Sequence, residues 1–206
     1  MDLRSLLVIS LATLPFAASA DALIEGVIRG QAQVFLKDGR IEGCGVAVLG
    51  MNAFESLNET ASQFHGSFTI YLDGTAAVKG LAEADVRAAY VLDLRNINRK
   101  AKYVELESFW FKAPGKSATT PLGGKTIAGD SPMSKLYRAD PITVMGLFEP
   151  IMDAQPIQIG VKRKADRIAK VYFGQVKMEE AELNQLAECL KEFGEALELQ
   201  VKKSTQ

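Results

Sequence analysis

The chain has 206 residues, with 24 lysines and arginines against 25 aspartates and glutamates, a formal net charge of −1. That balance lacks the basic excess of a general nucleic-acid binder, so no nucleic-acid partner is expected. Apolar residues make up 48% and charged residues 24%, as in ordinary globular chains, and a single histidine leaves little room for histidine-based chemistry.

Residues 1–20 read as an export signal. Arg4 leads, Leu6 to Phe16 form an apolar run, and Ala18-Ser19-Ala20 is a small-x-small cleavage pattern. The run falls short of the roughly 20 residues that span a bilayer, so cleavage after Ala20 is expected to leave no transmembrane span. Residues 21–206 are then expected to form one β-rich domain. Export permits a disulfide, and two cysteines allow one intramolecular pairing, Cys44 with Cys189. One bridge in a chain of this size is sparse for a secreted animal module. The expectation is therefore a periplasmic or secreted bacterial protein.

Gln33 to Leu36 has strand character, and Lys37-Asp38-Gly39-Arg40 carries a strong hairpin signal. Ile41 to Leu49 returns. Cys44, Val46 and Val48 point one way and Gly45, Ala47 and Leu49 the other. Both sets are small or apolar, which predicts a central strand covered on both faces. Gly50 to Ser62 is polar and irregular, with a short helical turn expected after Asn52. It holds an Asn58-Glu59-Thr60 glycosylation pattern that carries little weight in a bacterial protein.

Phe68, Ile70 and Leu72 alternate towards a second turn signal at Asp73-Gly74, with Thr75 to Ala82 read as the returning strand. Val86, Ala88, Tyr90, Leu92 and Leu94 alternate with Arg87, Ala89, Val91, Asp93 and Arg95, as a long half-buried strand does. A polar turn follows over 96–102. Tyr103 to Lys112 reads as a strand with Val104, Leu106 and Trp110 on one face and Glu105, Glu107, Phe109 and Phe111 on the other.

Ala113 to Pro132 reads as a long loop with a short strand inside Lys125 to Ala128. Ile142, Val144, Gly146 and Phe148 suggest a strand after Pro141. Ile157, Ile159 and Val161 give another, and Ile168 to Val176 the last. Met178 to Val201 is an amphipathic helix. Leu183, Leu186, Leu190, Phe193 and Leu197 recur at spacings of three and four, with Cys189 at the edge of that stripe. Glu179, Glu180 and Glu182 crowd its start and Lys202 and Lys203 its end, as the helix dipole favours. The expected fold is mainly β: an antiparallel sandwich or a curved, partly closed sheet of about eight or nine strands, with this helix packed on it. A Cys44–Cys189 bridge would staple the two and close a loop of about 145 residues, which the chain-entropy model values at about 5 kcal/mol.

Catalytic patterns are weak. Thr119 to Thr126 resembles a phosphate loop, but Thr119 stands where the first glycine belongs and no helix pattern follows. His65 has no nucleophile motif to serve, and no zinc or calcium ligand set is present. Glu105 and Glu107 are the minimum for a carboxylate pair, although alternating glutamates normally mark a wet strand face. No catalytic residue, metal or cofactor is therefore assigned. Two basic clusters fall on turns, Arg95, Arg99, Lys100 and Lys102, then Lys162, Arg163, Lys164 and Arg167. They are solvated hairpin ends or a shared patch for an anionic partner. Phe109, Trp110 and Phe111 either make a strand buried on both faces or line an apolar pocket. The expectation is a non-enzymatic exported binding protein for an envelope or host macromolecule. The alternatives are a lipid carrier with a pocket under the terminal helix and a carboxylate hydrolase.

Overall fold

The computed structural model describes residues 22–25, 27–52, 62–72, 82–92, 102–103, 105–129, 134–164, 167 and 169–204. The expected export signal, Asn58, the Asp73-Gly74 turn and most of the 96–102 turn lie outside the described residues. In chain order the elements are β1 (Ala22–Glu25), β2 (Val27–Lys37), β3 (Arg40–Asn52), β4 (Ser62–Leu72), β5 (Ala82–Leu92), β6 (Lys102–Tyr103), β7 (Leu106–Lys112), β8 (Ile127–Ala128), β9 (Ser134–Ala139), α1 (Pro141–Met152), β10 (Pro156–Arg163), β11 (Lys170–Lys177) and α2 (Glu180–Ser204).

The centre of the sheet is the antiparallel meander β2–β3–β4–β5. Asp38 (φ 51°) and Gly39 (φ 74°) both take the positive φ that a two-residue hairpin of this hand requires, and Lys37 pairs with Arg40. The partner of β4 is β5 itself, with Leu72 opposite Ala82 and Ser62 opposite Leu92. Of the segment Thr75 to Ala82 read as the returning strand, Ala82 lies in β5 and residues 75–81 lie outside the described residues. The sheet order is β7-β10-β11-β2-β3-β4-β5-β9-β8. β1 and β2 run parallel to β11 in one register, from Ala22 opposite Lys170 to Arg29 opposite Lys177.

The sheet curls until β7, at one end, meets β9, near the other. The Phe109 and Tyr137 rings lie 4.8 Å apart at their centroids, and the Tyr137 hydroxyl is 3.3 Å from the Phe109 carbonyl. The curl encloses the residues of one alternation. Cys44, Val46, Phe64, Phe68, Ile70, Ala84 and Val86 are buried together with Ile157, Ile159 and Val161 of β10. Burying rings such as Phe64 and Phe68 contributes roughly 1.5–3 kcal/mol each.

Two strand readings change. β7 is bulged: Lys162 faces Ser108 but Arg163 faces Leu106, so Glu107 is skipped. The extra residue shifts the alternation, and Leu106 joins Phe109 and Phe111 inside while Glu107 and Ser108 face water. The segment after Pro141 is the helix α1. Its Asp140 carboxylate accepts hydrogen bonds from the Thr143 N–H (2.8 Å) and hydroxyl (2.8 Å), and Pro141 occupies the first turn, where it loses no hydrogen bond. Val144, Leu147, Phe148 and Ile151 enter the core at helical spacing, with Phe148 against Phe68. The strand-like run at Ile142, Val144, Gly146 and Phe148 was coincidental, and Ile142 is 81% exposed.

α2 packs on β3 and β2. Leu186, Cys189 and Phe193 are buried, with Leu183, Leu190 and Leu197 partly buried beside them. Cys189 thus lies in the middle of the seam, not at its edge. It is bonded to Cys44, with 5.9 Å between the α-carbons. Where β11 leaves β2, the Glu182 carboxylate accepts the Ala32 N–H at 2.6 Å, so the start of the helix caps an otherwise open strand edge. A Cβ at Gly194 would meet no other atom within 4 Å, so that glycine does not serve a close approach to the sheet.

Candidate functional site

Among the described residues, no element covers the second face of β3. Gly45, Ala47 and Leu49 alternate away from the core, as the sequence requires, and Ala47 and Leu49 stay half-exposed. Pairing across the strands sets two rows on this face. One runs Arg29, Leu49, His65, Ala89 and Ser134, and the next runs Gln31, Ala47, Ser67, Arg87 and Leu136. With strands about 4.8 Å apart, each row spans about 19 Å. Ala47, Ser67 and Ala89 have short side chains, so the floor sinks between longer neighbours.

The result is an open groove of about 1040 Å3. Met178, Glu179 and Glu182, where β11 passes into α2, line it beside β2. Ala128, Gly129 and Leu136, of the β8–β9 ribbon, line it at the far side. Its chemistry is mixed. Arg29 and Lys177 are exposed. Arg87 lies 3.8 Å from Asp85, a long pair with an exposed guanidinium and a half-buried carboxylate, which leaves most of the guanidinium donors free. The Glu182 carboxylate is already held by the Ala32 N–H. His65 lies on the floor, and partial burial lowers its pKa because the cation loses hydration.

The basic and aromatic residues singled out in the sequence lie elsewhere. Arg95, Arg99 and Lys100 are outside the described residues, and Lys102 enters only as a backbone position in β6, opposite Leu92. Lys162 pairs with Glu107 at 2.8 Å and Lys164 with Glu105 at 2.9 Å, so the two glutamates neutralise the two lysines of the second basic cluster. The Lys164 hydrogen bond and charge hold the Glu105 carboxyl below its ordinary pKa, and the same contact raises that of Lys164. Arg163 is half-buried and Arg167 exposed. Phe109 and Phe111 are buried, with Phe111 packed against Phe64 and Phe68. Trp110 points to the other side of β7, where a Cβ on the facing Gly160 would collide with its indole.

The Thr119–Thr126 segment is structural at its start. The Thr119 hydroxyl oxygen accepts the Phe111 N–H at 2.9 Å and lies 2.7 Å from the Tyr137 hydroxyl. After Lys125 the chain enters β8, so no helix N-terminus is present there for phosphate. Among the described residues, no three His, Cys, Asp or Glu side chains are grouped to hold a metal ion, and no helix is long and apolar enough to cross a membrane.

Sequence reasoning missed the groove because its residues mimic an ordinary wet strand face. The one available signal was the run of small residues on the outward side of β3. No family model, no curated protein and no solved structure matches this chain.

Proposed function

We propose that this chain is an exported, non-enzymatic binding protein whose ligand occupies the groove over β2–β5 and β9. The supporting observation is the groove itself. A sheet face with a sunken floor of Ala47, Ser67 and Ala89, flanked by Arg29, Gln31 and Arg87, offers apolar contact and directional polar groups in one concave surface. Export is supported by the apolar leader ending in Ala18-Ser19-Ala20 and by the Cys44–Cys189 bridge, which persists in oxidising compartments. A periplasmic or secreted bacterial location and an envelope or host macromolecule as partner fit the same picture. The lipid-carrier and hydrolase readings draw less support. Phe109 and Phe111 are packed among other rings, and Glu105 and Glu107 are each paired with a lysine.

Native mass spectrometry of the protein purified from its own cells tests the reading, using Ala47→Trp to fill the floor. A bound species present on the parent protein should be lost from the variant, with the unfolding midpoint little changed. Retention of that species by Ala47→Trp would place binding elsewhere.

A further inference from the structure

Resting on the groove reading above, we propose that the occupant is an extended peptide segment of another protein, in which acidic and apolar residues are mixed. Charge favours an anion. Arg29 and Lys177 have no ion-pair partner among the described residues, and Arg87 is held only loosely by Asp85. The lining holds the cations Arg29, Arg87, Lys135 and Lys177 against the carboxylates of Glu179 and Glu182, so the balance is positive even though Glu182 keeps its charge while accepting the Ala32 N–H. Arginine forks match carboxylates in two-bond geometry, and a partly desolvated site strengthens such bonds.

The floor excludes a simple polyanion. Ala47, Leu49, Ala89, Leu136 and Met178 would be left against water by a ligand with no apolar groups. Single-stranded nucleic acid is usually held by aromatic platforms for its bases, and among the described residues no Phe, Tyr or Trp side chain lines the groove. A bare lipid tail would remain half-wet in so open a trough. Gln31 and Gln33 instead present amide donors and acceptors that match the N–H and C=O groups of a peptide backbone. A floor of about 19 Å takes about six residues of extended chain, whose side chains alternate between the floor and the rim.

The test is fluorescence anisotropy with a dye-labelled hexapeptide of alternating Glu and Leu, and with the matching Lys and Leu peptide. The Glu peptide should bind saturably, and the Lys peptide roughly tenfold more weakly or not at all. Arg29→Gln with Arg87→Gln should weaken Glu-peptide binding roughly tenfold, since charge-assisted hydrogen bonds contribute more than neutral ones. Lys116→Gln, which removes one exposed charge away from the groove, should leave it unchanged, and circular dichroism should report the same fold throughout. Equal binding of both peptides, or full binding by the double arginine variant, overturns the proposal. If Ala47→Trp loses its native bound species while the Glu peptide never binds, the groove reading stands and the acidic-peptide inference fails. If Ala47→Trp keeps that species, the groove reading itself fails.

Discussion

The Tyr137 hydroxyl lies 2.7 Å from Thr119 Oγ1, and this buried pair fastens the two converging ends of the curled sheet. Thr119 also accepts the Phe111 N–H of β7, and Tyr137 of β9 faces the Phe109 and Thr119 carbonyls at 3.3 Å each. Tyr137 can donate to either carbonyl while Thr119 donates to Tyr137. That arrangement gives each of the two hydroxyls both a donor and an acceptor role.

Tyr137→Phe should therefore cost about 1–3 kcal/mol in urea unfolding, with the denaturant slope unchanged. Burial raises the Tyr137 pKa to about 12, with the Thr119 bond acting weakly the other way. The unfolded chain releases this proton near pH 10. The contribution is thus complete below pH 10 and is lost as pH rises from about 10 towards 12. A phenylalanine variant with the same alkaline loss of stability would contradict this origin.

Reduction of Cys44–Cys189 should loosen α2 before the sheet. The meander is held by adjacent hairpins, whereas the bridge crosses 145 positions. The entropy model gives about 5 kcal/mol as the cost of its loss. Hydrogen exchange of the Cys44→Ala, Cys189→Ala double variant should show early opening over Glu180–Ser204. Leu186→Ala, a fully buried position, should cost about 2–5 kcal/mol and Leu190→Ala, half-buried, less. Uniform loss of protection across β2–β5 and α2 would show that the helix and sheet unfold as one unit.

Gly194→Ala should stabilise the protein by about 1 kcal/mol. The glycine is interior to α2, and a Cβ there meets nothing within 4 Å. A rise in thermal midpoint confirms it, and a fall would mean that the helix needs flexibility at that point.

Stability should decline as pH falls through about 6.5. Burial lowers the His65 pKa, so the unfolded chain takes up the proton first, and the contribution present above 6.5 is lost as pH falls to the folded value. His65→Gln should flatten this part of the pH profile. An unchanged slope between pH 5 and 7 in the variant would assign the effect to other groups.

The exported protein should have the intact mass of residues 21–206, as Ala18-Ser19-Ala20 directs. A measured mass that includes residues 1–20 would refute cleavage.

Local chemistry made part of this protein legible in its sequence. Asp38-Gly39 specifies a turn because both residues tolerate positive φ. The even-numbered residues of β3 and β4 mark the buried face because strand side chains alternate. The Leu186 to Leu197 stripe marks the helix, and two cysteines allow one internal bridge. Other features depend on competition between distant groups. Residues 142–148 fit both the strand and the helix period, and the Asp140 cap with the Phe148–Phe68 contact settles them as helix. Glu107 becomes a bulge only because β10 pairs across it. The outward residues of β2 to β5 form a groove only once five strands bring short side chains into register, since no single strand records which faces its neighbours leave uncovered.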